Sequence, residues 1–290
     1  MFMKNYFSLV TFSHTIFALP FALLGFVLAI MHPDYSFSWK IFGLIILCMI
    51  TARNAAMGFN RYADRIIDEQ NERTKNREIP SGVLKSNHVL IFVFINAILF
   101  VISTFFINRL CFYLSPVALL VVLGYSYTKR FTALCHLVLG LGLSFAPVGA
   151  YMAVTGAVAI LPLLYGLVVL FWVSGFDIIY ALQDEYFDRR LKLYSIPGVW
   201  GGEKALLIAR IFHTLVGLIL ITGTWILYSS YESASLLAFV GFLFFMMALV
   251  YQHKLVTPNE LSRINKVFFT TNGVASLLYG MIIILDLTIL

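Results

Sequence analysis

The chain has 290 residues, 61% of them hydrophobic and only 12% charged, against roughly 25% charged for a soluble domain. A soluble fold has too little interior to hide this much apolar surface, so lipid must cover the rest. The same balance excludes a disordered chain and a small disulfide scaffold. Net charge is +6, and where those charges lie decides what they mean.

Apolar runs of roughly 18 residues or more are long enough to cross the hydrocarbon core as helices. Nine appear, at about residues 12–31, 42–59, 87–107, 110–128, 133–155, 160–182, 204–228, 233–251 and 266–288. They are too long and continuous for barrel strands, which alternate over about ten residues. The expectation is an all-α polytopic membrane protein, one domain over residues 1–290. The first run lacks a small-residue cleavage site and has only Lys4 before it, so it reads as a helix rather than a cleaved signal. Cys48, Cys111 and Cys135 lie in or beside apolar runs without metal spacing and read as small core residues.

With the N-terminus inside, the inner segments hold sixteen Lys and Arg and the outer ones two, Lys40 and Arg109. Positive residues gather on the cytoplasmic side of membrane proteins. The basic balance is therefore topology, and no nucleic-acid partner is implied. Two inner loops are long and charged, about 60–86 and 183–203. They follow the second and sixth helices. The inner loops after the fourth and eighth helices also echo each other, at Tyr127-Thr-Lys129 and Tyr251-Gln-His-Lys254. The spacing points to two four-helix halves plus one further helix.

Most of the acidic residues cluster in two places. One is Asn60-Arg-Tyr-Ala-Asp64-Arg-Ile-Ile-Asp68; the other is Asp177-Ile-Ile-Tyr180-Ala-Leu-Gln-Asp184-Glu-Tyr-Phe-Asp188. Each contains Asp-x-x-x-Asp, which stacks two carboxylates one turn apart on a helix face. Such pairs repel, so a chain poor in acids that uses two of them binds something positive there. Arg65 and Arg189 beside them offer the plainer alternative, a neutralised helix end. Asp177 lies deeper in its helix, where an ionisable group is costly. Oxygen ligands in pairs suit magnesium, which completes its shell with water and substrate phosphate. Arg73, Arg77, Lys129 and Arg130 lie on the same predicted side and suit phosphate oxygens. Arg53 is a basic residue within the second helix. It fits the carboxylate of a bound molecule or an ion pair with Asp64 or Asp177. His14, His136 and His213 stand singly and read as core or interface residues.

At these motifs the sequence resembles the UbiA-type membrane prenyltransferases. The likeness includes Asn-x-x-x-Asp-x-x-x-Asp, Asp-x-x-Tyr-x-x-x-Asp-x-x-x-Asp, the 124–130 segment Gly-Tyr-Ser-Tyr-Thr-Lys-Arg, and Ser195-Ile196-Pro197. Phe12-Ser-His14-Thr-Ile-Phe-Ala-Leu-Pro20-Phe and Tyr180-Ala-Leu-Gln-Asp184 look like the 4-hydroxybenzoate polyprenyltransferases and their menaquinone-pathway relatives. Thr11 and His14 stand where better-known 4-hydroxybenzoate enzymes carry basic residues, and Gly198-Val-Trp-Gly-Gly202 lacks the usual base before its glycine.

The resemblance implies the UbiA fold and transfer of a polyprenyl group from polyprenyl diphosphate to an aromatic acid. The acid is 4-hydroxybenzoate, or a naphthoate in the menaquinone route. It implies that Asp64, Asp68, Asp184 and Asp188 bind two magnesium ions, with Asn60 and Asp177 at the same centre. Arg73, Arg77 and Lys129 would hold diphosphate oxygens, and Arg53 would face the acceptor. Tyr180, between Asp177 and Asp184 on one helix, is the one aromatic singled out for the reacting cation. A bacterial-type inner membrane, with the N-terminus cytoplasmic and the C-terminus outside, is the expected setting. The rivals are a secondary transporter, whose acids belong mid-helix, and a phosphotransferase, whose differently spaced acid cluster is absent.

Overall fold

The computed structural model describes Leu9, residues 15–257 and residues 260–289. Lys4, Thr11 and His14 lie outside the described residues. Almost every described segment is helical, because a bilayer leaves backbone groups no partner except one another. The helices are α1 (Thr15–Ile30), α2 (Trp39–Glu69), α3 (Ser86–Ile107), α4 (Arg109–Thr128), α5 (Cys135–Thr155) and α6 (Ile160–Ala181). A 3-10 turn (Leu182–Asp184) and the short α7 (Glu185–Arg190) and α8 (Ile196–Trp200) follow. Then come α9 (Gly202–Ser230), α10 (Leu237–Leu255), a π-helical stretch (Lys266–Thr271) and α11 (Asn272–Ile289).

Among the described residues eight helices are long and apolar enough to cross a membrane, and a shorter apolar one spans Phe17–Ile30. Among the described residues the expected nine runs correspond to these eight helices and the shorter one. Two boundaries differ in a way that matters. Hydropathy ends the second run near residue 59, yet α2 continues to Glu69 and carries the first motif on unbroken helix. The second inner loop contains two short helices rather than irregular chain.

Local signals set the breaks. Ser38 accepts a hydrogen bond from the Ile41 N–H and caps α2. Asn108 separates α3 from α4: its side chain accepts from the Cys111 N–H at 2.9 Å and donates to the Met152 carbonyl at 2.8 Å. Gly156, at φ 66°, ends α5 in the left-handed conformation that favours glycine.

The two halves share a plan. α2 packs on α3 and α3 on α4, as α6 packs on α9 and α9 on α10. α1 joins the halves, resting on α5 and on α11. A Cβ at Gly25 would stand 2.1 Å from the Pro147 carbonyl oxygen, so glycine lets α1 and α5 meet backbone to backbone. Between them lies an aromatic core of Phe17, Phe21, Trp172, Phe176, Phe245, Phe268 and Tyr279. Trp172 donates its indole N–H to Asn272 at 3.0 Å, so the buried polar atom is satisfied.

Candidate active site

Asn60, Asp64 and Asp68 follow one another at four-residue spacing on α2, so they line one face. Asn60 donates to Asp64 Oδ2 at 3.2 Å. Acids near a helix C-terminus meet the negative end of its dipole, and burial adds a desolvation cost. Asp64 is 2% exposed and Asp68 4%. Both are compensated by cations from other segments. Lys129, which caps α4, places Nζ 2.7 Å from Asp64 Oδ2, with Arg130 Nη2 3.6 Å from Oδ1. Arg77 Nη1 lies 2.7 and 2.9 Å from the two Asp68 oxygens.

The loop after α2 then turns back onto the second motif. Thr74 Oγ1 donates to the Asp68 carbonyl at 3.2 Å, and the Arg73 N–H donates to the Asn71 side chain at 2.9 Å. This turn delivers Asn71 Nδ2 to Asp184 Oδ1 at 3.0 Å. Arg73 joins it: Nε donates to the same oxygen at 3.0 Å, Nη2 meets Oδ2, and Nη1 donates to the Tyr180 hydroxyl at 3.2 Å. Burial works against the charge on Arg73. The hydrogen bonds and charge of Asp184 outweigh it and hold the guanidinium pKa above its ordinary value. The two aspartate motifs therefore sit side by side at one end of the bundle.

The Tyr180 ring lies 4.2 Å from the ring of Phe268, centre to centre, at 36°. Phe268 comes from the π-helical stretch before α11. Asp188, on α7, is 9% exposed. The loop after it packs closely: a Cβ at Gly198 would stand 3.1 Å from Asp188 Cβ and 2.9 Å from Ser195 Oγ. Arg53 is half-buried on α2.

Several partners differ from the plainest reading of the sequence. Arg65 and Arg189 do not neutralise the motif aspartates: Arg65 donates to the Tyr62 carbonyl at 2.7 Å, and Arg189 pairs with Glu185 at 2.9 Å. His136 is buried, as a core histidine would be, but it is not solitary. Its Nδ1 lies 2.7 Å from Asp177 Oδ2, and its Nε2 accepts the Ile196 N–H at 3.2 Å. His213 likewise pairs with His253 at 2.7 Å. Nothing in the local sequence marks His136, because its partners lie 41 and 60 residues onward. Asn71 has a clearer signal: it opens the Asn71-Glu-Arg73 turn directly after the first motif.

The donor set fits a divalent cation. Asp64 Oδ1 is buried and makes no hydrogen bond, which leaves a carboxylate oxygen ready for another positive partner. Among the described residues no three His, Cys, Asp or Glu form a ready-made metal cage. Magnesium needs none, since it uses one or two carboxylates and takes the rest from water and phosphate.

A model of the UbiA prenyltransferase family matches residues 18–274. The chain belongs to this family. It is an integral membrane enzyme of prenyl transfer. The 4-hydroxybenzoate octaprenyltransferase of Aliivibrio fischeri (strain MJ11) is 27% identical over 241 residues, covering 83% of this chain and 82% of its own. That of Tolumonas auensis is 30% identical over 230 residues, covering 79% and 78%. Among solved structures, the apo UbiA homolog from Aeropyrum pernix K1 superposes with a TM-score of 0.83 at 29% identity. The match covers 94% of this chain and 98% of that one. A UbiA homolog from Archaeoglobus fulgidus bound to DMAPP and Mg2+ shares the fold, with a TM-score of 0.74 at 17% identity over 99% of this chain and all of that one.

Proposed function

We propose that the chain, read as one domain over residues 1–290, transfers a polyprenyl group from polyprenyl diphosphate to 4-hydroxybenzoate in quinone biosynthesis. A naphthoate of the menaquinone route is the second acceptor to test. The observation that carries this reading is the bridge from the first motif to the second, in which Asn71 and Arg73 hold Asp184. It brings both carboxylate pairs and their bases to one place, as a diphosphate headgroup with its cations requires. The names of the curated relatives favour the acceptor.

Two magnesium ions fit Asp64, Asp68, Asp184 and Asp188, with Asn60 beside Asp64 and Asp177 at the same centre. Bound there, magnesium supplies positive charge to the leaving diphosphate. The chain's own cations do the same: Arg73, Arg77 and Lys129 turn from the aspartates to the diphosphate oxygens. As the allylic C–O bond breaks, its electron pair leaves with the diphosphate. The ring carbon beside the phenol bonds to the allylic carbon, and the ring then gives up its proton. Tyr180, backed by Phe268, presents an aromatic face to the developing cation. The apolar walls keep out water that would quench it. Arg53, seven residues before Asn60 on α2, receives the acceptor carboxylate. The motif end faces the cytoplasm of a bacterial-type inner membrane, with the N-terminus inside and the C-terminus outside, in line with the uneven charge of the loops.

The test is direct. The purified protein in lipid receives labelled polyprenyl diphosphate, magnesium and each acid in turn. Prenylated 4-hydroxybenzoate with release of diphosphate is the expected product. Product from the naphthoate alone moves the acceptor. No prenylated acid from either, while a control enzyme makes it, overturns the reading.

A further inference from the structure

His136 is a histidine that neither aspartate motif contains, yet it touches the second motif and the segment behind it. It is the second residue of α5, is 3% exposed, and meets two chain segments at once. The Ile196 N–H donates to Nε2 at 3.2 Å. A ring nitrogen that accepts carries no proton, so the ring proton sits on Nδ1 and is donated to Asp177 at 2.7 Å. The ring is held at its root too, where Ser174 Oγ donates to the His136 carbonyl at 3.1 Å. Next to this pair, Tyr194 donates its N–H to the Lys129 carbonyl at 2.6 Å, and Cys135 Sγ contacts the Tyr194 carbonyl at 3.4 Å. The loop that packs on Asp188 is thus pinned to the start of α5, while the other side of the same ring orients Asp177. The Asp177 side chain keeps 22% exposure, so part of the carboxylate remains open beyond the histidine.

We propose that His136 is a positioning residue: it fixes the Asp177 carboxylate and seats the Ser195–Ile196–Pro197 loop against Asp188 through one imidazole. The proposal rests on the prenyl-transfer reading above. It requires a side chain that donates from one end and accepts at the other. Glutamine does both through a single terminal amide; alanine does neither.

The experiment compares purified wild-type protein with His136→Ala, His136→Gln, Asp177→Ala and the double variant His136→Ala/Asp177→Ala. Prenylation rates are read against polyprenyl diphosphate concentration, and hydrogen exchange is read at the Ile196 amide. His136→Ala is expected to lower kcat about 10- to 100-fold, the range for groups that orient a reactive carboxylate, with KM for the diphosphate unchanged. His136→Gln recovers most of the rate. The double variant loses less than the product of the two single losses, because part of the histidine's effect runs through that aspartate. The Ile196 amide exchanges faster in His136→Ala and keeps its protection in His136→Gln. The proposal is overturned if His136→Ala keeps wild-type kcat, if the two losses multiply, or if glutamine restores no more than alanine. A wild-type protein that prenylates neither acid sinks the functional reading instead. The tether is then decided by amide exchange alone, and equal exchange in wild type and His136→Ala refutes it.

Discussion

Arg73 and Asp184 stand 111 residues apart in the chain and close a forked ion pair, with Nε on Oδ1 at 3.0 Å and Nη2 on Oδ2. This pair joins a loop of the first half to the 3-10 turn that follows α6 in the second. It holds the site together with the protein's own charges, and it presents to the aspartate the same fork that a guanidinium presents to phosphate.

Lysine keeps the charge of Arg73 but not the fork. Arg73→Lys is expected to raise the KM for polyprenyl diphosphate about tenfold, the equivalent of ~1.4 kcal/mol. Arg73→Ala should be worse. Initial rates of diphosphate release over a concentration series check this. Equal KM values for arginine and lysine would show that only the charge matters.

Lys129 compensates a carboxylate whose side chain is 3% exposed. Removing one partner of such a pair costs up to about 3 kcal/mol, with Asn60 and Arg130 left as partners of Asp64. Lys129→Ala should therefore lower the unfolding temperature in detergent. Magnesium with inorganic diphosphate should restore part of the loss by supplying Asp64 with a new positive partner. A variant as stable as wild type would refute the compensation.

Chelation should separate activity from folding. Asp64, Asp68 and Asp184 are each paired with a base of the chain, so the helices do not rely on a metal for neutrality. EDTA is expected to abolish prenyl transfer and leave the helical circular dichroism and the unfolding midpoint in place. Unfolding on chelation would mean that the cation holds the fold.

Phe268 is the shelf under Tyr180, with ring centres 4.2 Å apart. An aromatic pair contributes ~1 kcal/mol beyond its buried area. Phe268→Leu should lower kcat about fivefold, the rate equivalent of that energy, and Phe268→Tyr should stay near wild type. Single-turnover measurements distinguish this chemical step from product release. A leucine variant with wild-type single-turnover rates would remove Phe268 from the reaction.

What could be read without coordinates followed physical period and charge. The apolar runs located the spans because helix length must match hydrocarbon thickness. The two Asp-x-x-x-Asp stretches stood out because paired carboxylates are costly in a chain with so few acids. Hydropathy lost the end of α2, since it reports lipid contact whereas the backbone there stays helical to Glu69. It also merged the π-helical Lys266–Thr271 into a plain span, as both satisfy the backbone. His136 was legible only as a buried residue: one polar side chain on an apolar helix carries no mark of a partner 41 residues on. The exchange of the expected helix-end cations, Arg65 and Arg189, for Lys129, Arg73 and Arg77 has the same origin. Which base meets which acid is decided by how the halves pack, and nearness in sequence does not report that.

The unbroken run of α2 has a mechanical consequence. Its 31 residues extend about 46 Å at ~1.5 Å per residue, well past the ~30 Å oily slab of a bilayer. One rod therefore starts at Trp39 and Lys40 on one side of that slab and carries its buried carboxylates past the other. An amphiphile with a greasy tail and a multiply charged head is laid out the same way, so a single stiff ruler can register both ends of it at once.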